Sequence, residues 1–480
     1  MKIQTVHWHR AILAAYLVIG VLFAVNTPAW QAPDEPAHYN YVHFVAVHGA
    51  LPVLQAGDYD QAQQMQAIDA RFGPGSSIAA FRYEFHQPPL YYVLAAPIFR
   101  LTAGALLPLR LFSVFLGALL LLVIYRAAAL ILRPALALGA MGFVAFLPMH
   151  VAMLSAVNND SLAELLMAVM LWQCLHLLLH PPRQSLRPWF GLGAVAGLGL
   201  ITKSTVYGLL PMLGVTLIVA WRDRPRQAGD RRRDASIFLA VLAPLLVLAL
   251  PWWLRNLAVY GGTDFLGLNR HDDIVLGQLR TAEFLAQQGW ISLVARFTTW
   301  TFRSFWGQFG WMSVLLDGRI YTTLLILSAA TAVGALAELR RVWRQGRSTV
   351  RRALLILSLA ALGAVGGYLW YNLGFVQHQG RYLFPALLAF AVGWAVGLAA
   401  LARPGVSRAA AIMAVGGGLV TLILAPGRWS MLLWILAAAL FYLLPRLQRW
   451  HGILYAAVFA GLAGLDLISL FWFIVPQLRP

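Results

Sequence analysis

Apolar runs of about 17 to 25 residues, uncharged or nearly so, recur from residue 11 to residue 475. Each is long enough to cross a bilayer. In hydrocarbon every backbone polar group must be satisfied within its own segment, so each run must be a helix. None shows the period-two alternation of a membrane barrel. Candidate spans lie near 11–29, 110–131, 134–153, 160–180, 187–202, 204–221, 236–254, 320–338, 353–375, 382–402, 409–425, 429–445 and 452–475. The expected fold is an all-α polytopic membrane protein of 13 transmembrane helices, interrupted by two polar-containing loops, 30–109 and 255–319.

Composition agrees. Of 480 residues 60% are hydrophobic and 11% charged, and mean hydropathy is +0.70, too little polarity to cover a soluble surface. The net charge of +18 does not indicate nucleic acid, because the arginines cluster in short segments between apolar runs, as at an inner leaflet. The single cysteine, Cys174, sits in an apolar run; it excludes an intrachain disulfide or cysteine metal cluster and reads as packing. Residues 11–29 follow Lys2 and Arg10 like a signal peptide, yet no small-x-small site closes them, so they are expected to remain as the first span.

Orientation turns on residues 89–104, apolar but short, with Arg100 inside. If this segment lies along the surface, the basic loops 222–234 (Arg222, Arg224, Arg226, Arg231, Arg232, Arg233) and 339–352 (Arg340, Arg341, Arg344, Arg347, Arg351, Arg352) are both cytoplasmic. The same face takes Arg126, Arg133, Arg183, Arg187, Arg403, Arg408, Arg446 and Arg449. If it spans, all of them flip outside. We therefore expect an interfacial helix, a cytoplasmic N-terminus, and both long loops outside. The Gly-rich stretches 191–200 and 416–418 read as close helix packing, and no P-loop or GxGxxG follows a strand.

On that outer face the ionisable residues collect in a few motifs. Asp34-Glu35-Pro36-Ala37-His38 follows the first span; Asp34 can cap a helix running from Pro36 to His48, although a cap needs only one acid. Glu84-Phe85-His86-Gln87-Pro88-Pro89 starts another helix, with Tyr91 and Tyr92 suited to an interfacial belt. Asn158-Asn159-Asp160-Ser161 begins the fourth span, where capping is again an alternative, and Glu164 lies a turn inside it, where a carboxylate needs a partner or water. Lys203, Arg255 and the segment Gln377-His378-Gln379-Gly380-Arg381-Tyr382 add cations, each of which alone reads as an interfacial snorkeller. Asp466, deep in the last span, is expected to pair with a neighbouring helix.

These motifs, in this order and on one face, resemble the GT-C superfamily. The nearest branches are the protein O-mannosyltransferases, the lipid A aminoarabinose transferases, and a bacterial group carrying Pro-Asp-Glu-Pro-Ala-His and Gln-Gly-Arg-Tyr. The likeness covers residues 10–402, with 403–480 left as terminal helices without distinctive motifs. It implies a polyprenyl-phosphate-linked sugar donor, an acid at Asp34 acting on the acceptor, and a second acid at Asp160. One departure is that aminoarabinose transferases tend to carry a lysine where His86 or Gln87 stands.

The chemistry is consistent with that set. A phosphate leaves readily once neutralised, so one base and fixed positive charge suffice, unlike glycoside hydrolysis. Asp34 is then the general base, with Glu35 and Asp160 as further catalytic acids. Lys203, Arg255, Arg381 and His86 are the candidates for the phosphate, and His38, Glu164 and Tyr382 lie near them. A divalent cation shared by Asp34, Glu35, Asp160 and His86 stays open. The expectation is a plasma (inner) membrane glycosyltransferase, probing membrane lipids for its donor and using a lipid, glycan or protein hydroxyl on the extracytoplasmic face, with inversion. The alternatives are a transporter or flippase of lipid-linked sugars, whose site belongs near the midplane, and a non-catalytic scaffold.

Overall fold

The computed structural model describes residues 2–182, 185–223, 230–346, 348–424 and 427–479. Arg183, Arg224, Arg226 and Arg347, named above as boundary residues, lie outside them. The first half holds α1 (Lys2–Asn26), α2 (Glu35–His48), α3 (Gln61–Asp69), α4 (Leu90–Leu101), α5 (Leu106–Ala129), α6 (Pro134–Ala145), α7 (Pro148–Leu154), α8 (Asp160–Leu179), α9 (Arg187–Leu200), α10 (Leu210–Arg222) and α11 (Asp230–Tyr260). The second holds α12 (Leu268–Ile274), α13 (Thr281–Trp306), α14 (Gly318–Gln345), α15 (Ser348–Gly374), α16 (Leu387–Ala400), α17 (Pro404–Leu424), α18 (Arg428–Leu443), α19 (His451–Ile468) and α20 (Val475–Leu478). A short antiparallel hairpin, β1 (Gln308–Phe309) on β2 (Val314–Leu315), is the one sheet among the described residues.

The protein is an all-α polytopic membrane protein. Eleven helices are long and apolar enough to cross a bilayer, and α6 with α7 makes a twelfth if taken as one span bent by 66°. The count of 13 is corrected at 187–202. That window forms α9, of 14 residues, about 21 Å long at the α-helical rise and short of a hydrocarbon core of roughly 30 Å. The bend between α6 and α7 has a covalent cause: Pro148 has no N–H to offer the Val144 carbonyl, and His150 Nδ1 donates to that oxygen instead, at 3.0 Å. The Gly-rich stretch 191–200 is packing surface, as expected. A Cβ at Gly193 would lie 2.1 Å from the Val241 carbonyl oxygen, so α11 can approach α9 only because the side chain is absent.

Residues 89–104 form the short helix α4, which packs against α2 to make an outer layer on α5. Tyr91 and Tyr92 do not form an interfacial belt. Both are fully buried, because their hydroxyls find internal partners in Ser113 and His38. Cys174 is free and buried.

The last span folds back onto the first long loop: Gln31 Nε2 donates to the Leu478 carbonyl at 3.3 Å and Arg71 Nη1 to the Arg479 carbonyl at 3.1 Å. Asp466 departs from expectation. It is fully buried, and neither carboxyl oxygen has a partner among the described residues.

Candidate active site

Asp34 sits where the chain turns from α1 into α2, and it does not cap α2. Its backbone is left-handed, with φ 68°, and its side chain makes no cap hydrogen bond. The carboxylate turns away instead, where Oδ1 accepts from the Tyr83 hydroxyl at 2.8 Å and Oδ2 from Arg381 Nη2 at 2.6 Å. A non-glycine residue held there costs about 1–3 kcal/mol, a strain these two bonds offset. Burial raises the Asp34 carboxyl, but Arg381 and the two hydrogen bonds outweigh it and hold the group below the ordinary carboxylate range.

Arg381 lies on the 3-10 turn Gly380–Ala386 that leads into α16. Gly380 makes that placement possible. A Cβ there would lie 2.3 Å from the Thr301 carbonyl oxygen, so only glycine lets the turn press on α13, and its N–H donates to Ser304 Oγ at 2.7 Å. The guanidinium also donates from Nε to Gln379 Oε1 at 2.7 Å, while among the described residues Nη1 meets only the Met153 sulfur at 3.7 Å, a weak acceptor. Tyr382 packs against the cation, 5.4 Å from ring centre to guanidinium carbon.

A second ion pair stands beside the first. Asp160 opens α8, and Lys203, in the turn after α9, reaches its Oδ1 at 2.6 Å and Asn159 Oδ1 at 3.0 Å. Asn158 Oδ1 accepts the Asp160 N–H at 2.7 Å, so capping falls to Asn158 and the Asp160 carboxylate is left to the lysine. His38 lies in the field of all four charged groups. Burial first, then Lys203, brings its imidazole down to about 3, so it is neutral, with Nδ1 on the Tyr92 hydroxyl at 2.8 Å. The two cations are more buried than the acids they hold: side-chain exposure is 6% for Arg381 against 23% for Asp34, and 14% for Lys203 against 26% for Asp160.

Other expected residues take their direct partners elsewhere. Glu35 is fully buried and saturated, because Arg110 donates to both its oxygens at 2.7 and 2.6 Å and the Trp30 and Val157 N–H groups add 3.1 and 3.2 Å bonds. It ties α2, α5 and the α7–α8 turn together. Glu164 finds its partner in His150, at 2.7 Å. Arg255 donates to the carbonyl of Pro52 and to Asn256 Oδ1 and lies against Trp252 and Tyr260, with no site carboxylate among these contacts. His86 donates from Nδ1 to the Tyr83 carbonyl at 2.9 Å. Burial and then His271 hold it well below the usual imidazole range, so it brings no charge for a phosphate. Among the described residues no three His, Cys, Asp or Glu side chains are grouped to hold a metal ion, so Asp34, Glu35, Asp160 and His86 do not converge as one ligand set.

Glu84 belongs to the cluster although the sequence motif drew attention to His86 instead. Burial and then Asp34 push its carboxyl up to about 7, with Lys203 and His271 opposing. Its signal was the acid at the head of the His-Gln-Pro-Pro segment.

Fold and site together define an all-helical polytopic membrane protein with a paired acid–cation centre at its helix ends. The chain belongs to the family described as "Predicted membrane protein (DUF2142)", whose model matches residues 75–390; Glu84, Asp160, Lys203 and Arg381 fall inside the match, Asp34 before it. ArnT from Cupriavidus metallidurans, solved with bound undecaprenyl phosphate, is similar in fold, with TM-score 0.50, 16% identity, and coverage of 98% of this chain and 74% of that one. An Archaeoglobus fulgidus oligosaccharyltransferase tethered to an acceptor peptide gives TM-score 0.49 and 14% identity, over 94% of this chain and 55% of that one. This chain thus spans about half the length of the archaeal enzyme. No curated protein sequence matches.

Proposed function

We propose that this protein is a membrane glycosyltransferase that moves a sugar from a polyprenyl phosphate to a hydroxyl acceptor on the extracytoplasmic side of the plasma (inner) membrane. The observation that carries the reading is the pairing of Asp34 with Arg381 and of Asp160 with Lys203 in one electrostatic cluster. The fold likeness to a protein solved with undecaprenyl phosphate supports it.

Each cation keeps a donor for a phosphate oxygen. Arg381 has Nη1, whose present partner is a thioether, and Lys203 has the third N–H of an ammonium that makes two bonds. A phosphodiester held there supplies a leaving group already neutralised, so no carboxylic acid donor is required. The acceptor hydroxyl attacks the anomeric carbon as its proton passes to Asp34; the new C–O bond forms, the bond to phosphate breaks, and polyprenyl phosphate departs. Attack opposite the leaving group inverts the anomeric centre. Arg381 also couples binding to basicity. A phosphate on its guanidinium offsets the field that keeps Asp34 acidic, so Asp34 gains proton affinity when donor is present.

The test is a comparison of envelope lipids and glycans from cells with and without the gene. A sugar missing from one component, restored by the parent gene and not by the Asp34→Asn variant, supports the reading; identical profiles contradict it.

A further inference from the structure

The two ion pairs account for a phosphate and a base, and they leave Glu84 and Gln87 without a task. These residues lie on the 3-10 turn Tyr83–His86 and its exit, ahead of Pro88 and Pro89. The turn is fixed by the Tyr83 hydroxyl on Asp34, by His86 Nδ1 on the Tyr83 carbonyl, and by the Tyr41 hydroxyl on the Gln87 carbonyl at 3.1 Å. Gln87 is 8% exposed. Its side-chain amide is near enough to the Glu84 carboxyl to favour the ionised form. Glu84 Oε2 and Gln87 Oε1 are buried with no partner among the described residues. Gln87 Oε1 is an acceptor, and Glu84 Oε2 is one when the carboxyl is ionised.

Their position matters as much as their chemistry. Glu84 interacts electrostatically with Asp34 and with Lys203, the base and one of the phosphate cations. A sugar whose phosphate rests on Lys203 and Arg381, and whose anomeric carbon is attacked by a hydroxyl that Asp34 deprotonates, has to lie between those groups. We propose that Glu84 and Gln87 form the sugar-binding edge of the site, accepting hydrogen bonds from hydroxyl or amino groups of the donor and selecting neutral or cationic sugars over uronates. This rests on the function proposed above.

A buried acceptor that stays unpaired forfeits its hydration without return, so a ligand that supplies the missing donor is favoured over one that does not. The rigid turn adds to this, because the acceptors need no ordering when the sugar arrives. A uronate brings its own carboxylate up to Glu84, whose ionised form, with no cation bonded to it, repels the like charge.

The test uses the purified full chain in lipid nanodiscs with four probes: undecaprenyl phosphate alone and the same lipid carrying glucose, 4-amino-4-deoxyarabinose or glucuronate. The parent is expected to bind bare lipid, to bind the glucose or amino-sugar lipid more tightly, and to bind the glucuronate lipid at least about tenfold less well than the better of these. Glu84→Gln keeps shape and reduces the preference over glucuronate by about tenfold. Gln87→Ala, which leaves the carboxylate in place, weakens the sugar-bearing lipids and spares the bare one. Equal loss for bare and glycosylated lipids in both variants, or an undiminished preference, overturns the sugar edge while leaving the lipid-phosphate reading intact. Failure of the parent to bind bare lipid overturns both.

Discussion

Arg381 Nη2 lies 2.6 Å from Asp34 Oδ2 across 347 residues of sequence, so the start of the first long loop and the entry to α16 are parts of one centre. The contact makes Arg381 partner to the proposed base and holder of the proposed leaving group. Replacing it by Ala should weaken binding of undecaprenyl phosphate by about tenfold or more, and Arg381→Lys should recover only part of that. A single ammonium cannot serve Asp34, Gln379 and a phosphate in the planar directions a guanidinium covers. Titration of the lipid into purified variants measures it, and unchanged affinity in the Ala variant would remove Arg381 from the phosphate site.

Glu35 and Arg110 should behave as framework. Breaking a buried, fully hydrogen-bonded ion pair typically costs about 3–5 kcal/mol, and Glu35→Gln leaves Arg110 with a neutral partner. We expect a lower unfolding midpoint in detergent, with turnover per folded molecule close to the parent. A variant of parental stability that had lost turnover would return Glu35 to the chemistry.

Much of this was legible in the sequence, and the limits have physical causes. Spanning runs, the short helix α4 and the glycine packing followed from length, charge and residue size. The window 187–202 was miscounted because hydropathy reports polarity and not where a helix stops. The motifs at Asp34, Asp160, Lys203 and Arg381 were visible as clusters of charge, but which acid met which cation was not, since partners come from separate segments, Asp34 and Arg381 from segments 347 residues apart. Asp34 and Glu35 are adjacent and chemically alike. One is saturated by Arg110 and the other reaches Tyr83 and Arg381, a difference set by the left-handed turn at Asp34 that no neighbour in sequence announces.

Glu84 should leave a mark on the pH dependence of stability. Its carboxyl, ordinarily near 4.5, is pushed up to about 7 by burial and then Asp34, with Lys203 and His271 opposing. Between those values the folded chain holds a proton the unfolded chain has released. Folded stability from this group is therefore present at low pH and is lost as pH rises through about 7. Gln has no such charge to bury. The unfolding midpoint of Glu84→Gln relative to the parent should thus rise between pH 4.5 and 8, and a difference independent of pH would contradict the shift.

The proposed orientation puts the basic loops inside. A cysteine at Gln345 in intact cells should resist an impermeant thiol reagent, while one at Ala56 should label; both positions are exposed, and the native Cys174 is buried. The reverse pattern would place the acid–cation centre on the cytoplasmic side.

The central claim is that Asp34 takes the acceptor's proton, and Asp34→Asn tests it most directly, because the substitution keeps size and a hydrogen bond to Tyr83 while removing the basic oxygen pair. Transfer from a polyprenyl-phosphate sugar to the acceptor identified in cells should be measured on purified protein, alongside donor affinity. The account predicts that the variant folds, binds donor, and transfers sugar about 10² to 10⁴ times more slowly. Turnover within a few-fold of the parent, with donor bound equally well, would contradict it and leave Asp34 as a structural partner of Arg381.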